Sequence, residues 1–182
     1  MTTGAAPGEL ELVRAFVNTL DVEDGSDELS DSRALDRWLR DRGLLRNGRA
    51  TRTDVAAARR VREALRALMA ANNGLSVRKE AAVALNEAAR RADLGARFDS
   101  AGTARLEPAA RGVDGALGRL LAIVVGAMAD GSWSRLKACR AEGCRWAFYD
   151  HARNRSRHWC SMAVCGNRTK ARAYRARARG AA

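Results

Sequence analysis

The stretch "CRAEGCRWAFYDHARNRSRHWCSMAVCGNR", residues 139–168, holds all four cysteines of the 182-residue chain. They form two C-x4-C pairs, Cys139/Cys144 and Cys160/Cys165, with fifteen residues between the pairs. Structural Zn²⁺ takes four tetrahedral ligands, and thiolates suit it well. A site filled by four thiolates leaves no open position for water, so the expected metal is one structural Zn²⁺ with no catalytic part. The roughly 48 residues around it cannot bury enough apolar surface alone, so metal binding would supply the missing folding energy. Two disulfides and an iron–sulfur cluster are the alternatives. Disulfides fit an oxidising compartment poorly matched to this chain, and no local feature singles out a cluster.

Charge separates this module from the rest. Residues 135–182 carry 13 Lys and Arg against 2 acids, whereas residues 1–134 carry 20 against 19. Nearly all of the net charge of +12 therefore lies in the last quarter. The run "RTKARAYRARAR" has no Gly or Pro and reads as a helix. At 100° per residue it places Arg168, Arg172, Arg175 and Arg179 within a wedge of about 60°. Between the cysteine pairs, Arg153, Arg155 and Arg157 alternate with other residues, and an extended segment would point all three one way. These seven arginines are the candidate nucleic-acid contacts. A solvated basic face is the plainer reading of such charge. Its concentration on a metal-stapled module beside a near-neutral region favours a polyanion. Trp146, Phe148 and Trp159 are expected to form the module's small core, and His151 and His158 to stay off the metal.

Upstream, the pattern is mainly helical. "ELELVRAFVNTL" aligns Leu12, Phe16 and Leu20 with Val13 and Val17. "SRALDRWLRDRGLL" presents Leu35, Trp38 and Leu39. "TDVAAARRVREALRALMAANNG" is a long helix capped by Thr53 or Asp54 and stopped at Asn72-Asn73-Gly74. A further helix covers residues 77–91, and "ARFDSAGTARLEP" reads as a small β-hairpin ended by Pro108. "VDGALGRLLAIVVGAMADG" is apolar on most sides and is expected to be the central buried helix. The chain is expected to divide near residues 131–134, into 1–132 and 133–182. Asn18 and Asp21, at a helix end in "FVNTLD", are read as turn and capping residues, with a ligand pocket as the alternative.

The beginning, "MTTGAAPGEL", lacks the basic and apolar regions of a secretory signal. The longest apolar run, residues 120–129, is far short of the roughly 20 residues that span a bilayer. A cytoplasmic, nucleoid-associated protein with no membrane partner is the expectation. No P-loop, dinucleotide fingerprint or G-x-S-x-G stands in the sequence, and both histidines lie in the basic module. No enzyme is expected.

The carboxy-terminal stretch closely resembles the CGNR zinc finger, through the two C-x4-C pairs, "RWAFYD", "NRSRHWCSMAVCGNR" and the tetrapeptide Cys165-Gly166-Asn167-Arg168. The preceding region is similar to the ABATE domain, through "FVNTLD", "LDRWLRDRGLL" and "VREALRAL". The resemblance implies a treble-clef-like finger with all four cysteines on zinc, in a stress-linked bacterial transcription regulator. In such a finger Cys160 precedes the helix and Cys165 lies in or before its first turn. The expected fold class is α+β: a mainly helical amino-terminal domain with a small hairpin, then the four-cysteine finger. DNA is the expected partner through phosphates and one or two base edges, with a small-molecule or protein effector at the amino-terminal domain and a homodimer as further expectations. An RNA-binding or protein–protein module is the alternative.

Overall fold

The computed structural model describes residues 4–180; the first three residues of the "MTTGAAPGEL" run and the last two of the chain lie outside that description. Six α-helices, two β-hairpins and two tight helical turns follow one another. Helix α1 (Leu10–Val17) buries Leu10, Val13, Phe16 and Val17. It ends earlier than its apolar period suggests, because Thr19 turns back onto the Phe16 carbonyl and Leu20 bridges to Asp27. Helix α2 (Ser32–Asp41) starts at Asp31, whose carboxylate accepts from Ala34 N, and buries Leu35, Trp38 and Leu39. Helix α3 (Arg52–Ala71) is capped by Thr51, not by Thr53 or Asp54. Thr51 and Asp54 form a reciprocal capping box, which satisfies two amide donors at the helix start. Asn72 is its C-cap, and Gly74 follows at φ +86°, a left-handed angle that ends the helix cleanly.

Helix α4 (Lys79–Arg91) leads into β1 (Leu94–Phe98) and β2 (Ala104–Pro108), which pair antiparallel as the small hairpin expected to end at Pro108. Helix α5 (Gly112–Ala129) follows, burying Val113, Leu117, Leu120, Leu121 and Val124. By length and composition α5 is apolar enough to cross a membrane, but it packs against α1, α3, α4 and β2 as the core helix. Its outer face is apolar too: Val125 and Met128 are exposed. With β2 and the start of α1, that face lines an open groove of about 1090 Å³.

The expected division near residues 131–134 falls at a turn. Gly131 has φ +79°, and a 3₁₀ turn spans Ser132–Arg135. The hydrophobic core nevertheless runs straight through it. Strands β3 (Leu136–Ala138) and β4 (Ala147–Tyr149) pair antiparallel, and their alternate residues serve two cores. Leu136, Ala138, Ala147 and Tyr149 join the large core with Trp133. Phe148, on the opposite face, packs with the four cysteines, Trp146, Trp159 and Val164. Helix α6 (Asn167–Gly180) ends the chain.

Candidate metal centre and nucleic-acid interface

The first cysteine pair sits on a tight knuckle. Cys139 N donates to Trp146 O, and both Cys144 N and Arg145 N donate to Ala141 O. Arg145 takes φ +52°, the left-handed angle that lets the chain double back. Cys160 precedes the second element, where Ser161 caps a π-helical turn (Met162–Gly166) that carries Cys165 and passes into α6. That is the order expected for Cys160 and Cys165. Wide π geometry at this point lets the chain turn around the thiols before the regular helix begins.

All four sulfurs lie within 4.8 Å of one another and are buried. The Cys144–Cys160 and Cys160–Cys165 Sγ separations are both 3.6 Å. A tetrahedron with Zn–S bonds of about 2.3 Å has edges of about 3.8 Å, so the donors fit the ion. Their acidities fit it as well. Hydrogen bonds from Cys144 and Cys160 push the Cys139 thiol far down, while the same contacts push Cys144 and Cys160 up. Burial raises Cys165. Thiols so close cannot all ionise unless a cation offsets their repulsion, and a dication supplies that charge. The four cysteines form the site of one structural zinc.

Around the centre, polar side chains tie the finger to the helices. Asn18, 8% exposed, donates to Ala147 O (2.9 Å) and accepts from Ala147 N (2.7 Å). Its amide thus continues the β4 edge. Asp21 lies apart from it, with its carboxylate accepting from Glu23 N at 2.8 Å. Asn18 is the C-cap of α1, and neither residue lines the groove beside α5. Asn73 donates to Ala138 O and His158 O and pairs with His158 Nδ1 at 2.8 Å. His158 is thereby tied to the turn that follows α3, and His151 is exposed against Ala5 O. Fully buried Arg66 reaches Val17 O, Leu20 O and the knuckle carbonyl of Arg145. The sequence reading missed Arg62 and Arg66, and it saw Asn72 and Asn73 only as the helix stop, not as ties to the finger. The two arginines fall about one turn apart on the inner face of α3, both buried, a placement that a buried polar network explains.

The basic residues separate into two groups. Arg153, Arg155 and Arg157 do not form the extended stripe expected of them. Arg155 N bonds back to Ala152 O, and Arg155 itself has φ +53°. The cause is Lys137. Its buried ammonium donates to Asp150 Oδ2 (2.8 Å), Arg155 O (2.5 Å) and Arg157 O (3.1 Å), curling the loop around it. Arg153 projects outward, Arg155 reaches Ser134 Oγ, and Arg157 turns inward to Cys160 O over the Phe148 ring. On α6, by contrast, Arg172, Arg175 and Arg179 are exposed along one helical face. Arg168 shares that face but pairs with Glu23 at 2.8 Å.

A buried four-thiolate centre on a knuckle and a helix start defines a zinc-finger protein. Two families match the chain in tandem. Residues 10–131 match ABATE, described as "Putative stress-induced transcription regulator", and residues 135–178 match the CGNR zinc finger. The chain belongs to the ABATE family and carries a CGNR zinc finger at its carboxy-terminal end. No curated protein matches it significantly.

Proposed function

We propose that this protein is a transcription regulator that binds duplex DNA through its zinc-stapled finger. The observation that carries the reading is α6. It issues directly from the zinc centre, contains no acid, and exposes every residue from 170 to 179. A helix so charged and so little packed is marginal by itself, and a row of phosphates neutralises it. Arg172, Arg175 and Arg179 contact the backbone, Arg168 joins them, and Arg153 contributes from the loop. Residues 133–182 act as the DNA-binding part and residues 1–132 as the regulatory part. A small-molecule or protein effector binds that part, where the groove beside α5 offers an apolar surface. Neither matched family is an enzyme family, and we read the chain as a cytoplasmic binding protein.

Equilibrium binding of the zinc-loaded chain to random-sequence duplex DNA and to single-stranded RNA, each at two salt concentrations, tests this. Duplex preference with a steep salt dependence is the expected result. Preference for the single strand, or no salt dependence, overturns it.

A further inference from the structure

We infer that a second basic surface, the loop of residues 42–51 with the adjoining ends of α2 and α3, also contacts the phosphate backbone of duplex DNA. It lies outside the finger, in a region whose overall charge is close to neutral. That neutrality conceals two opposed segments. Residues 1–31 carry eight acids and one arginine, whereas residues 33–60 carry nine arginines and three aspartates.

The three aspartates offset only part of that charge. Asp36 is committed to Arg40 (2.6 Å) and to Ala50 N, and Asp54 to the Thr51 capping box. Among the described residues only Asp41 of the three has no such partner. On the basic side, Arg33, Arg37, Arg46, Arg49 and Arg52 are exposed, and among the described residues none of them is in a close side-chain ion pair, although Asp31 lies within electrostatic reach of Arg33 and Arg37, and Asp36 within reach of Arg49. Arg42 is exposed and stacks its guanidinium 4.1 Å from the centre of the Trp38 ring. Surfaces ordinarily intersperse both signs of charge. Here positive charge predominates over the loop and the helix ends it joins, with nine arginines to three aspartates across residues 33–60.

The loop is also held in place. Arg40 donates to the carbonyls of Arg46 and Gly48, Ala50 N is tied to Asp36, and Arg119 donates to Gly43 O at 3.0 Å. Leu44 and Leu45 are buried and anchor its start. Arg46 and Arg49 are thus displayed from an ordered backbone. Less entropy is lost when they meet an anion than on a free tail.

The ligand follows from the proposed function, on which this inference rests. A patch of guanidinium groups with no apolar centre recognises a polyanion, and duplex DNA is the polyanion the finger is proposed to bind. The loop lies at the start of α3, and the finger docks at its end through Asn72 and Asn73. Twenty residues of helix separate them by about 30 Å. The loop is thus set apart from the finger's docking point, and the contributions of the two surfaces are expected to add.

The test uses the full zinc-loaded chain and a random-sequence duplex, with log K measured against log salt. Arg46→Ala/Arg49→Ala should lower the slope by about 1.8, at about 0.9 per lost phosphate contact. Combined with Arg172→Ala/Arg175→Ala in the finger, the losses should sum. Arg46→Gln/Arg49→Gln, with circular dichroism and the denaturation midpoint unchanged, guards against a folding artefact. A loop variant with an unchanged slope, where the finger variant loses its own, overturns this inference and leaves the finger reading intact. The converse pattern overturns the finger reading and keeps the loop. A wild-type chain with no affinity for duplex overturns both.

Discussion

Asn18 and Ala147 stand 129 residues apart and are joined by a reciprocal pair of hydrogen bonds, 2.9 and 2.7 Å long, in a buried place. One side chain thus closes the edge of the finger's hairpin onto α1. Asn18→Ala strands the Ala147 amide and carbonyl away from water. Leaving buried polar groups unmatched costs about 1–3 kcal/mol each, so for the two groups a loss of about 2–6 kcal/mol is expected in urea unfolding. A loss below about 0.5 kcal/mol would show that water replaces the pair.

Zinc should stabilise more than the finger. Leu136, Ala138, Ala147 and Tyr149 belong to the same core as α1, α3 and α5, while Phe148 on the other face belongs to the cysteine cluster. Chelation, or Cys165→Ser, is expected to lower the midpoint of a single transition. Free zinc at a thousand times its Kd contributes about 4 kcal/mol. Two transitions, with the larger unmoved by chelation, would show that the helical part folds independently.

Acid sensitivity should report on Asp27. Burial works to raise its carboxyl, but the hydrogen bonds from Arg62 and Leu29 N, with the charges of Arg62 and Arg59, hold it below the ordinary range. A carboxyl depressed in the folded state contributes fully above its unfolded value, about 3.9, and loses that contribution as pH falls through the folded value. Asp27→Asn should therefore be less stable than wild type at pH 7, with the gap closing below about pH 4. A gap that stays constant down to pH 3 would mean that charge is not the source.

Glu23 stands as a competitor for the phosphate that Arg168 is proposed to meet, since their ion pair occupies the guanidinium at 2.8 Å. Exposed pairs contribute about 0.2–1 kcal/mol. Glu23→Gln should tighten duplex binding by up to about fivefold and steepen the salt slope by about 0.9. Unchanged binding would place Arg168 outside the interface.

On α6, Arg172→Ala/Arg175→Ala should flatten the salt slope by about 1.8 without loss of helix, because alanine is the strongest helix former. Arg177 lies about 180° from that face, so Arg177→Ala should have clearly less effect. Equal losses at all three positions would describe a diffuse basic tail.

Much of this was legible locally. The order of the helices, the hairpin ending at Pro108 and the basic helix follow from periodicity and turn chemistry, which act over a few residues. The zinc ligands were legible because thiols in two close pairs have little other use. The Arg153, Arg155 and Arg157 stripe was misread for a definite reason. Alternation predicts an extended segment, but the backbone carbonyls of Arg155 and Arg157 answer to Lys137, a residue 18 or more positions away.

What the sequence by itself determined is the set of elements and the metal donors, since both rest on short-range spacing. Tertiary structure alone decided how the parts are joined. Asn18, Arg66 and Asn73 look in sequence like a helix-end cap, a surface arginine and a turn residue. Asn18 is indeed the C-cap of α1 and Asn73 lies in the turn after α3, but all three are also buried, and each bonds main-chain groups of the finger 65 to 129 residues away. Buried backbone N–H and C=O groups must find partners wherever the fold places them. Which side chain provides them depends on packing over the whole chain, and no local pattern encodes it.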